Sequence, residues 1–197
     1  IFAGIVIAPI GGIIFGFLLT GLIITIFANR RPKIVNKTFG RLQIISSGWF
    51  ALTHGANDGQ KTMGIIVLIL FSAGLIPELE MPLWVIFAAA TAMGLGTFFG
   101  GYKVIKTLGM KITKLKPYQG FAAETAGGMM LAVFAVLGIP ASTTHAITGT
   151  IMGSGAARRT RAVRWKVGRQ IVFAWLITIP GSALLGIAFT YLIYLFV

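Results

Sequence analysis

Between Gly4 and Ala28 the chain carries no charged side chain. A helix of that length rises about 37 Å, enough to cross the ~30 Å hydrocarbon core of a bilayer. Comparable apolar stretches follow at Leu42–Ile76, Leu83–Tyr102, Gln119–Ala157 and Ile171–Val197. They predict an all-α integral membrane protein, a single transmembrane domain over residues 1–197. Composition agrees: 56% of residues are hydrophobic and only 11% are charged, against about 25% charged in soluble domains. Cysteine is absent, which excludes disulfides, thiolate metal sites and cysteine nucleophiles. Two histidines and four acids leave few ligands for a transition metal. The chain starts at Ile1 without a basic, cleavable leader, which predicts a piece of a longer polypeptide.

The net charge of +13 would suggest nucleic acid in a soluble protein. Here it is sorted between apolar stretches. Arg30, Arg31, Lys33, Lys37 and Arg41 form one cluster; Lys103, Lys106, Lys111, Lys114 and Lys116 form a second. Arg158, Arg159, Arg161, Arg164, Lys166 and Arg169 form a third. Such loops stay on the cytoplasmic face. The acidic turn Pro77–Pro82 and the chain end near Val197 then face outward. Leu42–Ile76 crosses once. The Gln119–Ala157 unit begins and ends at basic loops, so it makes no net crossing.

Two of the apolar units contain polar interruptions. The unit 42–76 holds His54-Gly55-Ala56-Asn57-Asp58-Gly59-Gln60-Lys61, with the chain's only aspartate. It is too long for one straight span and reads as a broken helix with an unwound Gly-Ala-Asn-Asp-Gly centre. The unit 119–157 is interrupted by Pro140-Ala141-Ser142-Thr143-Thr144-His145 and reads as a re-entrant helical hairpin with its tip there. Gly12 and Gly16, and again Gly96 and Gly100, have the spacing that permits close helix contact.

Helix breaks at membrane depth survive only inside protein or beside a wet cavity. They present half-helix ends, where transporters hold their substrates. Asn57, Asp58 and Gln60 at one break and Ser142, Thr143 and Thr144 at the other offer carboxylate, amide and hydroxyl groups. That set suits an oxyanion such as phosphate together with a hard monovalent cation. Asp58, with Asn57, would hold sodium and so offset the phosphate charge; a protonated Asp58 would instead couple transport to protons. An acid inside a membrane is in any case a candidate functional group. Lys61 is either a snorkelling base or the partner of Asp58. His54 and Asp58 are four apart, but no third metal ligand is near. Two other functions compete: an intramembrane hydrolase using His54, Asp58 and a serine, and an anion channel. The first lacks a nucleophile elbow or metal triad.

The segments GAND followed by GQK, and later GIPASTTH, resemble the inorganic phosphate transporter family of sodium- or proton-coupled symporters. Its members carry each motif once in each of two inverted repeats. This sequence has one copy of each, in order and across nearly its whole length, and so resembles the C-terminal repeat. The commonest family form continues with valine, alanine, asparagine and serine after the aspartate; Gly59, Gln60, Lys61 and Thr62 stand here instead. The resemblance implies symport of inorganic phosphate with sodium by alternating access, and no enzyme activity. Proton-coupled transport of phosphate, or of a metal-phosphate, is the alternative. It implies half of an inverted-repeat transporter, multi-pass in the cell (inner) membrane. The coupling ion would be served by Asn57, Asp58, Thr143 and Glu124, the last matching a glutamate that the family uses before its STTH element. No cofactor beyond the coupling ion is implied. The partners would be the N-terminal repeat of the same transporter, the lipid bilayer and, as a candidate, a second copy in a homodimer.

Overall fold

The computed structural model describes residues 2–195. Its regular structure among these residues is helical throughout. The helices are α1 (Phe2–Ile26), α2 (Pro32–Ser72), α3 (Leu83–Lys106), α4 (Pro117–Val136), α5 (Thr143–Arg158) and α6 (Trp165–Tyr194). A π-helical segment, Thr107–Ile112, extends α3, and a single 3₁₀ turn, Thr160–Ala162, follows α5. The chain divides into two units, Ile1–Val163 and Arg164–Val197. Among the described residues, four helical stretches are long and apolar enough to cross a membrane: Gly4–Ile26, Leu83–Ile112, Pro117–Val136 and Trp165–Tyr194. The chain end at Val197 lies outside the described residues.

Helix boundaries follow local chemistry. Pro32 and Pro117 sit in the first turns of α2 and α4, where a missing N–H costs nothing. Both helices end in the same left-handed glycine cap. Gly74 (φ 70°) closes α2, with Leu75 N–H donating to Leu70 and Gly74 N–H to Phe71. Gly138 (φ 65°) closes α4, with Ile139 N–H donating to Phe134 and Gly138 N–H to Ala135. These paired bonds satisfy carbonyls that the helix end would leave free.

The expected broken helix over 42–76 is not found. α2 runs without interruption from Pro32 to Ser72, and neither Gly55 nor Gly59 has a positive φ. The physical reason lies in what the polar side chains meet. Unwinding would free backbone groups in lipid at several kcal/mol each. A continuous helix avoids that cost, because His54, Asp58 and Lys61 find partners along one face and across to a neighbouring element, as described below.

The hairpin is found as a helix–turn–helix, with α4 ending earlier than the proline and the turn spanning 137–142. Its arms are antiparallel. Gln119 Nε2 donates to the Ser154 carbonyl at 2.9 Å near the open end, and Phe134 packs in one cluster with Ala141 and Ala146 near the tip. The segments flanking the hairpin also meet: Gly155 lies against both Thr113 and Val163. Both ends of this unit therefore emerge together. At that end Phe27, Phe39 and Phe121 stack edge to face, with centroids 5.2 and 5.3 Å apart, bringing the α1–α2 connection alongside. α2 runs parallel to α4, with Gln43 on Gly120, Trp49 on Gly128 and Asn57 at Leu131.

α1 and α5 pack backbone to backbone. A Cβ on Gly12 would stand 2.7 Å from the Ala146 carbonyl oxygen, and one on Gly4 2.6 Å from that of Pro140. Gly16 faces Thr150, Gly149 faces Pro9 and Gly153 faces Ile13, each at under 3.0 Å. Without a hydrophobic drive in lipid, such small-residue seams hold helices together. Gly96 and Gly100 on α3, by contrast, have nothing within 4 Å. In the second unit α6 stands as a long apolar helix with Pro180 inside it.

Gly153→Ala should therefore destabilise the protein by about 1–3 kcal/mol, since backbone rather than a movable side chain must yield. Gly21→Ala on the same α1, with nothing within 4 Å, should be neutral or slightly stabilising. Thermal unfolding of the purified protein in detergent checks the contrast; equal midpoints for the two variants would refute the seam.

Candidate functional site

Positions 54, 57, 58 and 61 fall on one side of a continuous α2. That side meets the hairpin tip. Asp58 lies about 24 Å along the helix from Leu42 and about 20 Å from Phe71, near the middle of the apolar stretch. Its carboxylate is held from three directions. The Lys61 ammonium donates to Oδ1 at 2.9 Å. The Thr143 hydroxyl donates to Oδ2 at 2.8 Å, and His54 Nε2 lies 3.1 Å from the same oxygen. Lys61 also donates to the Ala141 carbonyl at 2.6 Å. The ammonium thus bridges α2 to the tip, with bonds made stronger by its charge.

α5 begins at this point. Ser142 is its N-cap, accepting from the His145 N–H at 3.4 Å. The first N–H groups of a helix lack internal partners and carry partial positive charge. His145 hydrogen-bonds to backbone at Ile5, tying α1 to the same place. A cavity of about 320 Å³ opens here, lined by Ile5, Asp58, Lys61, Pro140 and residues 141–144. A larger one of about 1020 Å³ lies between α2, α3, α4 and α5, and its lining is mainly apolar. Thr143 and Thr144 line both cavities, so the tip is the wall between them.

The predicted site residues separate into three groups. Asp58, Ser142, Thr143 and Thr144 come together at the smaller cavity. Asn57 is adjacent but turned away: it is buried, and its Nδ2 donates to the Leu131 carbonyl at 3.3 Å. Its amide locks α2 to α4. Gln60 is exposed and lies outside both cavity linings, because two residues along a helix turn a side chain to the opposite flank. The Lys61 ammonium stands beside Asp58, where the sequence reading expects a cation.

Glu124 forms a second, separate centre. Its Oε2 accepts from the Ser46 hydroxyl at 2.5 Å and its Oε1 from Gln43 Nε2 at 3.3 Å. No ion pair reaches it among the described residues. Ser46 and Asp58 are about 18 Å apart along α2, so Glu124 does not share the aspartate's shell. It faces the larger cavity. Sequence reasoning missed Gln43 and Ser46, although their three-residue spacing on an apolar helix was a readable signal. It also missed the Ala141 carbonyl, for which no side chain gives a signal.

Comparison with known proteins gives these arrangements a context. A "probable low-affinity inorganic phosphate transporter" of Rhizobium meliloti is 48% identical over 183 residues, covering 92% of this chain and 55% of that protein. One of the same description from Bacillus subtilis is 41% identical over 187 residues, covering 94% and 56%. A solved structure described as "the sodium-dependent phosphate transporter" superposes with a TM-score of 0.66 at 26% identity, covering 90% of this chain and 54% of that one. The chain thus spans about half the length of the relatives it matches. The family is one of transporters rather than enzymes, which removes the hydrolase alternative. Since the pattern of the phosphate transporter family matches residues 27–186, motif segments included, the chain belongs to that family.

Proposed function

We propose that this chain forms one half of a secondary transporter that carries inorganic phosphate across the cell membrane, the other half being a symmetry-related repeat. The carrying observation is the meeting of the hairpin tip with the centre of α2, where Thr143 and Lys61 converge on Asp58. Phosphate would lie in the smaller cavity, taking bonds from the free N–H groups at the start of α5, from the Ser142 and Thr144 hydroxyls and from Lys61. A helix N-terminus supports an oxyanion through oriented donors and its dipole. Asp58 itself would not touch phosphate oxygens; it holds Lys61 and Thr143 in position. Asn57 supports the site from behind, through α4.

The hairpin reads as re-entrant. Its two flanks emerge at one end, beside the basic loops, and its tip stops at Asp58 while α2 continues about 20 Å further. Glu124, on the larger cavity and without an ion pair, is the proposed second centre for a coupling ion. Alternating access then means exposing the wall formed by Thr143 and Thr144 first to one side and then to the other. The whole transporter, with both halves, is required for uptake.

Two outcomes check this reading. Asp58→Asn should reduce uptake of labelled phosphate into proteoliposomes by about tenfold or more, as expected for losing a charged hydrogen-bond centre worth ~1.5–3 kcal/mol, while the protein stays folded. Normal uptake by that variant would remove Asp58 from the site. For topology, single cysteines replacing Leu79, Thr107 or Arg161 can be probed on intact cells with an impermeant thiol reagent. Leu79→Cys should label, and Thr107→Cys and Arg161→Cys should not. Labelling at 161 but not at 107 would mean that the α4–α5 unit spans the membrane.

A further inference from the structure

The Lys61 ammonium stands in surroundings that would serve a hard monovalent cation. Around it are a carboxylate oxygen of Asp58 at 2.9 Å and a backbone carbonyl oxygen of Ala141 at 2.6 Å. The Thr143 hydroxyl is bound to the other oxygen of the same carboxylate. Oxygen donors of these kinds, including carbonyls at non-helical backbone, are what hard cations take in transporters. Yet the donors already serve an internal cation. Asp58 and Lys61 cancel in charge, and a sodium ion entering the same cage would meet a like charge at contact distance with no carboxylate left to offset it. His54 and Asp58, both on α2, are the other titratable groups in direct contact with this cluster. A neutral amide in place of the ammonium would leave the cage open, since it brings a carbonyl oxygen and no charge.

We propose that Lys61 is the residue that sets cation specificity at this site: its ammonium is a tethered cation occupying the position of a coupling sodium, and it excludes sodium from the Asp58 cage. The proposal rests on the reading of the hairpin tip as the transport site. It requires that the wild-type cage be indifferent to sodium, and that removing the ammonium create a sodium site from the oxygens left behind.

The full transporter in detergent provides a direct test. Thermal unfolding is followed in sodium chloride against choline chloride at equal ionic strength. Any gain the wild type shows in sodium should survive Asp58→Asn, because its Asp58 cage takes no sodium. Lys61→Asn should gain several degrees in sodium, as a ligand bound only by the folded state must produce. That gain should vanish when Asp58→Asn is added, which assigns it to this cage. Lys61→Ser, smaller and also an oxygen donor, serves as the second variant should asparagine impair folding. In proteoliposomes an inward sodium gradient should stimulate phosphate uptake by Lys61→Asn about tenfold more than it stimulates uptake by the wild type, within the usual range of coupling between two ligands. Sodium-specific stabilisation of the wild type that Asp58→Asn abolishes would overturn the proposal, as would folded Lys61→Asn and Lys61→Ser that ignore sodium. Absence of phosphate uptake by the wild type under every gradient would instead overturn the transport reading, and the unfolding measurements would still decide whether Lys61 fills a cation site.

Discussion

The contact on which this bundle depends is backbone against backbone, between α1 and α5. Lipid gives apolar helices no reason to leave it, so association must come from close packing. Gly4, Gly12 and Gly16 on one helix and Gly149 and Gly153 on the other bring main chains together where any Cβ would collide. The seam runs along α5 and ends at Gly4 on Pro140, which is part of the hairpin turn. α5 is short, and alone it could tilt or slide. Pressed to α1 by glycines and to α4 by Gln119 and Gly127, it holds the tip at the height of Asp58. The distances at the site are consequences of packing some way below it.

This packing also inverts the polarity of an ordinary soluble core. Thr148, Thr150 and Ser154 are buried in the bundle, while Ile10, Phe15, Leu18 and Leu22 of α1 face outward. Small polar residues pack closely and can return hydrogen bonds to nearby carbonyls, as Thr150 does to Ile147 and Ser154 to Gly16. Large apolar residues go to the outer surface of the bundle, where their size costs nothing. Charges inside such a body need partners. Asp58 has three, from two elements. Among the described residues Glu124 has neutral donors alone, Ser46 and Gln43, and therefore stands differently toward any incoming cation.

The sequence was most informative where a physical rule had one solution. Apolar length and the three basic clusters led to helices, to the hairpin and to its paired ends, because lipid and charge bias leave few alternatives. Ser142, Thr143 and Asp58 were readable as a candidate site because polar residues at the centre of apolar stretches need a reason, and the structure brings them together. The broken helix expected over 42–76 fails because glycine and asparagine are only weak unwinding signals. Propensity is weak beside the cost of free backbone in lipid, and Gly55 and Gly59 remain helical. Gln60 was grouped with its neighbours by sequence adjacency, which a helix does not respect. The pairing of Lys61 with Asp58 was one of two alternatives the sequence offered, whereas its bond to the Ala141 carbonyl had no signal in the sequence. That carbonyl is free to accept because it lies in the non-helical turn 137–142.

Lys61 therefore joins two mechanical parts through one atom. Its Nζ is shared between a helix that runs the height of the bundle and a turn that closes a short hairpin. Moving the tip away from α2 means giving up the Ala141 bond, the Thr143 bond to Asp58, or both. In a half-exposed site water takes over part of each bond, so the net cost is far below that of a buried ion pair. An oxyanion beside the tip changes this balance further, because its oxygens compete with Ala141 and Asp58 for the same ammonium and with Asp58 for the same hydroxyl. On the transport reading, substrate binding and loosening of the tip draw on the same donors, and a ligand shifts a conformation only through such a difference in contacts. Thr143 and Thr144 line the cavities on both sides of this wall, so the bonds that the substrate would replace are those that keep the two cavities apart.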